Sequence, residues 1–514
     1  MNSQSQEREG FGARLLDLAF LTGVAFAVTG APILLHQVGQ PLAIAFGLTS
    51  TCFIALYFER AVPIVIFVSY LFQTMFVAMA SPYATQYSDL DPMKAYNFVT
   101  TVGFWLTLMA RLALGRDRAP PFVWRMIWAT TSILGLAGIF FVLGLPLDSR
   151  GATIYMRNIG LPVMLFQICL LVASRHELAM RDVAALLLAL MLAGGYCELL
   201  AIRRWLDFTN GWTYWELAST ATRQSLDFEK NARSTGIVIG DTIDLLTTSL
   251  FNTNLLSGLN LRVVRLQGPN FHPISFGYAL AVLSAFVAVH GRLLLPLAAI
   301  PLLLVVGAKG ALALFLLSLA YCFVSRIYHG ILLPVGLGVL LVAYAAFAFY
   351  TGLQTGDFHV LGLIGGINGF LSSPAGHTLG AGGNLSTNFA GIDWSKYQHE
   401  GATDIAVESA AGVLLYQMGI ASLVVIAIYL WLAKIAWRLF QMLRAPALAL
   451  TASSIVIMLV NGLFQEEAWF APLALGLILA FAGLTFGAVD RRIAADIGQE
   501  RRRDEGALSP TATI

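Results

Sequence analysis

From Leu15 to Val489 the chain is a succession of apolar runs, most of them near the roughly 20 residues that an α-helix needs to cross a bilayer. That feature decides the class of fold. A soluble chain of 514 residues would make one very large domain or a few ordinary ones, and would carry about twice the 12% of charged residues found here. With 58% hydrophobic residues and a mean hydropathy of +0.74, the chain reads as an all-α, polytopic integral membrane protein. Secreted, fibrous, disordered and DNA-binding proteins are excluded on the same grounds, so no nucleic-acid partner is expected.

Breaks between the runs predict about 14 spans, within a range of 12–14, at 15–36, 41–58, 62–80, 93–114, 123–145, 152–173, 182–202, 274–290, 293–307, 310–325, 331–351, 405–432, 447–465 and 468–489. The stretch 293–325 is either two short spans meeting near Ala308, Lys309 and Gly310, or one span and a broken one. The polar start, Met1 to Arg14, leads into a run without a small-residue cleavage site, so that run reads as a first span rather than a removed signal peptide. Cys52, Cys169, Cys197 and Cys322 all lie in apolar runs and read as small core residues.

Arg8, Arg14, Arg60, Arg116, Arg118, Arg175, Arg181, Arg292, Arg326, Lys434, Arg438, Arg444 and the tail arginines 491, 492 and 501–503 fall on the side of the N-terminus, which the positive-inside rule makes cytoplasmic. The chain then divides into an N-terminal bundle (1–202), an outer loop (203–273), central spans (274–351), a second outer loop (352–404), C-terminal spans (405–489) and a cytoplasmic tail (490–514). Long loops between spans are where function is usually placed. No internal repeat is visible, which argues against a secondary transporter built from two related halves.

Charge on the outer side is concentrated. The first loop carries Arg203, Arg204, Trp205, Trp212, Tyr214 and Trp215, then Arg223, Lys230 and Arg233, and ends in Arg262-Val263-Val264-Arg265-Leu266-Gln267-Gly268-Pro269-Asn270-Phe271-His272-Pro273. Trp212 and Trp215 read either as an interfacial belt or as a sugar-stacking platform. Arg262, Arg265, Asn270 and His272 just above a span read either as an anion site, arginine being matched to phosphate oxygens, or as partners of loop acids such as Asp241 and Asp244. Lys309 lies between apolar residues, a position that is expensive in a membrane and marks a functional candidate, with snorkelling to headgroups as the alternative.

The second loop is rich in glycine. Its Gly376-to-Asn384 segment lacks the Lys-Ser/Thr of a phosphate loop, and nucleotide binding is rejected. It closes at His399 and Glu400, and Glu408 is expected in the first turn of the next span, as a general base or in an ion pair. Gln465-Glu466-Glu467 falls in the turn between the last two spans, too few ligands for a metal site.

In their order these elements resemble the O-antigen ligase and polymerase family, membrane glycosyltransferases that finish bacterial surface polysaccharides. The resemblance covers about 262–470. Arg265 to Pro273 enters a span; Gly307-Ala308-Lys309-Gly310-Ala311 is similar to the family's small-Ser-Arg-Gly element, with Ala308-Lys309 in place of Ser-Arg; Gly380-Ala381-Gly382 resembles its Gly-x-Gly turn; Glu408-Ser409 with Tyr416 to Ile420 resembles the closing element; Asn461-Gly462 and Gln465-Glu466 follow. Ligases of the family carry a His-Asn pair where this chain reads Asp404 to Ser409, with His377 and His399 nearest, which favours the exopolysaccharide polymerase branch.

The resemblance implies a GT-C-like fold in the bacterial inner membrane, with the site facing the periplasm or exterior. It implies an inverting, metal-independent polymerisation of undecaprenyl-pyrophosphate-linked oligosaccharide, with no cofactor. A chain-length regulator and export machinery are implied as partners. The roles that follow are Glu408 as base with His399 or His377 second, Arg262, Arg265 and Lys309 stabilising the departing pyrophosphate, and Asn270, His272, His377, Trp212 and Trp215 binding substrate.

Overall fold

The computed structural model describes residues 3–117, 119–224, 246–249 and 262–507. The chain is an all-helical polytopic membrane protein. Its helices are α1 Ser3–His36, α2 Gln40–Tyr57, α3 Val62–Ala80, α4 Tyr96–Ala113, α5 Pro121–Gly144, α6 Ser149–Arg175, α7 Met180–Thr209, α8 Gly211–Gln224, α9 Pro273–Val289, α10 Leu294–Val306, α11 Lys309–Val324, α12 Leu332–Thr355, α13 Phe358–Ser372, α14 Ala410–Met418, α15 Ala421–Leu443, α16 Pro446–Asn461 and α17 Leu477–Ala507. One small antiparallel ribbon pairs Thr247 with Val264 and Ser249 with Arg262.

Among the described residues nine helical stretches are long and apolar enough to cross a membrane. The other five expected spans fall on α4 and on the shorter helices α9, α10, α11 and α16. Between 293 and 325 there are two short helices, because Gly307 takes a left-handed conformation (φ 67) and ends α10.

The short helices shape the molecule. α10 has 13 residues, and α11 and α16 have 16 each. At 1.5 Å per residue these are about 20–24 Å long, against a hydrocarbon core of about 30 Å. α9, α10, α11 and α16 are neighbours and share one set of turns, near Arg292, Arg326 and Arg444. Their opposite ends gather near Arg265 and Lys309 in one cluster. Around it, long helices pack tightly: Gly483 and Gly487 bring α17 onto the backbone of α6 at Phe166 and Leu170. At the Arg444 end, Glu59 holds Arg111 at 3.0 Å and Arg175 at 2.9 Å.

Four expectations are corrected. Both segments expected as outer loops contain helix among the described residues: α7 runs through 202 to Thr209, kinked at Ala201, α8 follows, and α13 occupies 358–372. The glycines of α13 are packing surfaces, since a Cβ at Gly362 would strike the carbonyl of Val407 and one at Gly366 the backbone of Gly412. The contacts advance in step along both chains, so α13 and α14 run parallel. The span expected at 405–432 is broken at Gly419 (φ 53) into α14 and α15, and Glu408 lies before α14, whose N-cap is Ser409. Finally, Cys169 and Cys322 are buried in the core but Cys52 and Cys197 are exposed on the helix surface.

Candidate functional site

The site is built first by a clamp. Glu198, buried in α7, accepts the backbone N–H of Gln267 at 3.0 Å and of Gly268 at 2.7 Å. Gly268 and Phe271 take left-handed φ values of 63° and 52°, folding this segment into a tight turn against α7 and α9. A carboxylate buried in a membrane helix needs such donors, because its lone pairs find no water there. The clamp delivers Arg265, whose Nε donates to the carbonyl of Val306 at 3.2 Å, and His272, whose Nδ1 accepts from Ser275 N at 3.3 Å and caps α9.

Val306 leads into the Gly307–Gly310 turn. Asn461 Nδ2 donates to the carbonyl of Gly310 at 2.8 Å, and Tyr278 donates to Gln465 Oε1 at 2.7 Å beside it. Any Cβ at residue 310 would collide with the Tyr278 hydroxyl. Lys309 is exposed at the start of α11, within electrostatic reach of Asp357, the N-cap of α13.

Glu408 stands beside His359, on the segment that leads into α14. Its backbone is left-handed (φ 59), rare for a residue with a Cβ, and Ser409 N donates to Val407 O at 2.6 Å across it. Asn384 Oδ1 accepts the Glu408 N–H at 2.8 Å. His359 Nδ1 lies 3.0 Å from the Glu408 carbonyl and 3.5 Å from its carboxylate Oε2. Behind it, buried Glu466 accepts from the Tyr155 hydroxyl and from Asn384 N at 3.0 Å.

These groups form a ring: Arg265, the Val306–Lys309 turn, Asp357, His359, Glu408, Glu466 and Glu467. Glu467 closes it, half-buried and within electrostatic reach of Arg265, His272 and Tyr278. Burial draws the Arg265 guanidinium below its usual pKa, with Glu467 opposing. Burial likewise lowers the His272 imidazole; Glu467 opposes this and Arg265 adds to it. Burial pushes the Glu466 carboxyl up to about 8, against the hydrogen bonds from Tyr155 and Asn384. Helices α9, α11, α13 and α14 all begin here, so their N-terminal partial positive charges converge with the cations.

The structure brings together Arg265, His272, Lys309 and Glu408. Other candidates lie apart from the ring's contacts. His399 is exposed on the short helix Trp394–Glu400. His377 stacks on Tyr416 with ring centroids 4.3 Å apart, and its main-chain N–H donates to the Tyr416 carbonyl. Trp212 donates to Asp207 at 2.9 Å, and Trp215 stacks on Phe271, an arrangement of loop packing. Asn270 is buried and bonds locally: with its amide oriented to satisfy both ends, Nδ2 donates to the Gln267 carbonyl at 3.0 Å and Oδ1 accepts from Phe276 N at 3.2 Å. Arg262 lies on the ribbon, while Lys230, Arg233, Asp241, Asp244 and Arg118 lie outside the described residues. Among the described residues no group of three His, Cys, Asp or Glu side chains could hold a metal ion.

Glu198, His359, Asn384 and Tyr155 were not legible as site residues. Glu198 carries a usable signal, since an acid inside a membrane run has the same rarity that singles out Lys309. His359 and Asn384 carry none, because each meets Glu408 only through folding of a distant segment. The chain matches no protein-family model, no curated protein and no solved structure.

Proposed function

We propose that this protein is an inverting glycosyltransferase that polymerises isoprenoid-pyrophosphate-linked oligosaccharide repeat units into a surface polysaccharide or exopolysaccharide. In this reading it acts in the bacterial inner membrane, with the Arg265 end facing outward. The observation that carries it is one ring of neighbouring groups that joins Arg265, His272, Lys309 and several helix N-termini to a carboxylate–imidazole pair, Glu408 and His359. The first set suits a pyrophosphate. The second suits an acceptor hydroxyl.

The chemistry is a single displacement. The acceptor hydroxyl oxygen attacks the anomeric carbon, the bond from that carbon to the pyrophosphate oxygen breaks, and the lipid pyrophosphate leaves with the electron pair. Arg265 and Lys309 stabilise the departing charge, and Glu408 takes the hydroxyl proton. One displacement inverts the anomeric centre. The chain-length regulator and export machinery belong to this reading as partners.

A ligase reading is favoured by one observation. His359 and Asn384 both touch Glu408, so a histidine and an asparagine stand at the place where residues 404–409 lack them. Deleting the gene separates the readings. A polymerase loss leaves single lipid-linked repeat units outside and no long chains. A ligase loss leaves full-length polymer on its lipid carrier. A flippase loss traps single units facing the cytoplasm. Sizing the lipid-linked sugars by mass spectrometry, with and without access from outside, decides among them.

Orientation has its own test. In a chain whose own cysteines are replaced, exposed Glu216→Cys and His399→Cys should react with an impermeant thiol reagent on intact spheroplasts. Reaction only after the membrane is breached would reverse the orientation.

A further inference from the structure

Glu408 sits where its backbone would not settle unaided. A left-handed glutamate needs surrounding groups that over-determine it. The structure supplies them as a chain of contacts from four separate segments. Tyr155, on α6, donates to Glu466 and accepts from Leu385 N at 3.3 Å. Glu466 then accepts from Asn384 N at 3.0 Å, and Asn384 Oδ1 accepts the Glu408 N–H at 2.8 Å. Gly383 N donates to Ala406 O at 2.7 Å, locking the same two strands of chain together. Gly383 itself is left-handed (φ 94) and abuts the Tyr155 ring, so the segment has no room to slide.

We propose that Asn384, held by Glu466 and Tyr155, is the positioning residue that sets the Glu408 turn and fixes its carboxylate beside His359. The assignment rests on the reading that Glu408 takes the acceptor proton. Asn384 does not itself face substrate in this arrangement, because its side-chain oxygen is used on the Glu408 main chain and its N–H on Glu466. The relay explains why a fully buried carboxyl is present so close to Glu408 and Glu467: it is a backbone clamp, spaced by Tyr155. The titratable and charged groups around Glu408 are His359 from α13, with Asp357 at that helix's N-cap, and Glu466, with Glu467 beside it, from the short helix Glu466–Phe470; Lys309 of α11 is within electrostatic reach of Asp357.

The test uses the purified full-length chain and the lipid-linked pool extracted from a strain lacking the gene. Asn384→Ala should lower kcat roughly 10–100-fold through misplacement of the base, with KM within about twofold of wild type. Asn384→Asp keeps the accepting oxygen. It should restore much of that turnover while moving the acidic limb of the kcat–pH profile up by about one unit, because a new negative charge sits beside Glu408. Tyr155→Phe should lower kcat with KM unchanged. If Asn384→Ala and Tyr155→Phe turn over like wild type while Glu408→Gln is dead, the positioning role is wrong and the base assignment stands. If Glu408→Gln is active, the base assignment itself falls. Should Asn384→Ala fail to accumulate, Asn384→Asp decides alone: an unmoved acidic limb overturns the proposal.

Discussion

Glu198 accepts the backbone N–H of Gly268 at 2.7 Å from inside a membrane helix, and through that bond a buried acid of α7 holds the turn that carries Arg265. Replacing Glu198 by alanine strands two buried N–H groups, each a loss of about 1–3 kcal/mol. Glu198→Ala should lower the melting temperature in detergent and abolish polymer. Glu198→Gln, which keeps an acceptor, should retain more of both. Wild-type melting and polymer for Glu198→Ala would show that the turn holds itself.

Arg265 donates to the carbonyl of Val306 at 3.2 Å, and Lys309 starts the helix three residues further on. Loss of either contact to a developing pyrophosphate charge should cost about 3 kcal/mol in the transition state, roughly a hundredfold in kcat. Arg265→Ala and Lys309→Ala are expected to stop polymer at normal protein level. Lys309→Arg should outperform Lys309→Ala because the charge remains. Polymer length on gels, beside a blot of membrane fractions, is the readout.

Gly366 meets the backbone of Gly412 where α13 and α14 pack in parallel. A methyl group there forces the helices apart, an overpacking penalty of about 1–3 kcal/mol. Gly366→Ala should therefore destabilise the chain, whereas Gly336→Ala on α12, whose Cβ meets open space, should be silent. Melting curves of the two variants side by side check this; equal midpoints would contradict the close packing.

Glu466 gives stability a pH slope. An unfolded glutamate titrates near 4.5, whereas burial raises Glu466 to about 8. Between those values the folded chain keeps a proton that the unfolded chain releases. Stability should therefore fall as pH rises through this window, by at most about 1.4 kcal/mol per pH unit from this group. Comparing midpoints at pH 5.5 and 8.5, Glu466→Gln should show a flatter dependence than wild type. An identical slope in both would assign the effect to other groups.

Much of the fold is legible because a membrane helix is a local object. Twenty apolar residues must satisfy their own backbone hydrogen bonds, so the runs at 15–36, 123–145 or 331–351 announce helices wherever they are packed. Lys309 and Arg265 stand out for the same reason, since a charge in or beside such a run needs a partner that hydropathy alone cannot supply.

What only tertiary structure decided is everything that depends on distance across the chain. The glycines of 362–369 read as loop and are helix, because their purpose is the approach of α14, some 45 residues later. Glu408 read as a helical first-turn residue. It is a strained residue before the helix, its N–H held by Asn384 and its carbonyl and carboxylate beside His359, and the three meet only when α13 and α14 pack side by side. By itself the sequence determined which segments enter the membrane and which charges are out of place. The packing of short helices against long ones decided which of those charges become neighbours, because burial without water leaves each polar group only the partners that folding brings to it.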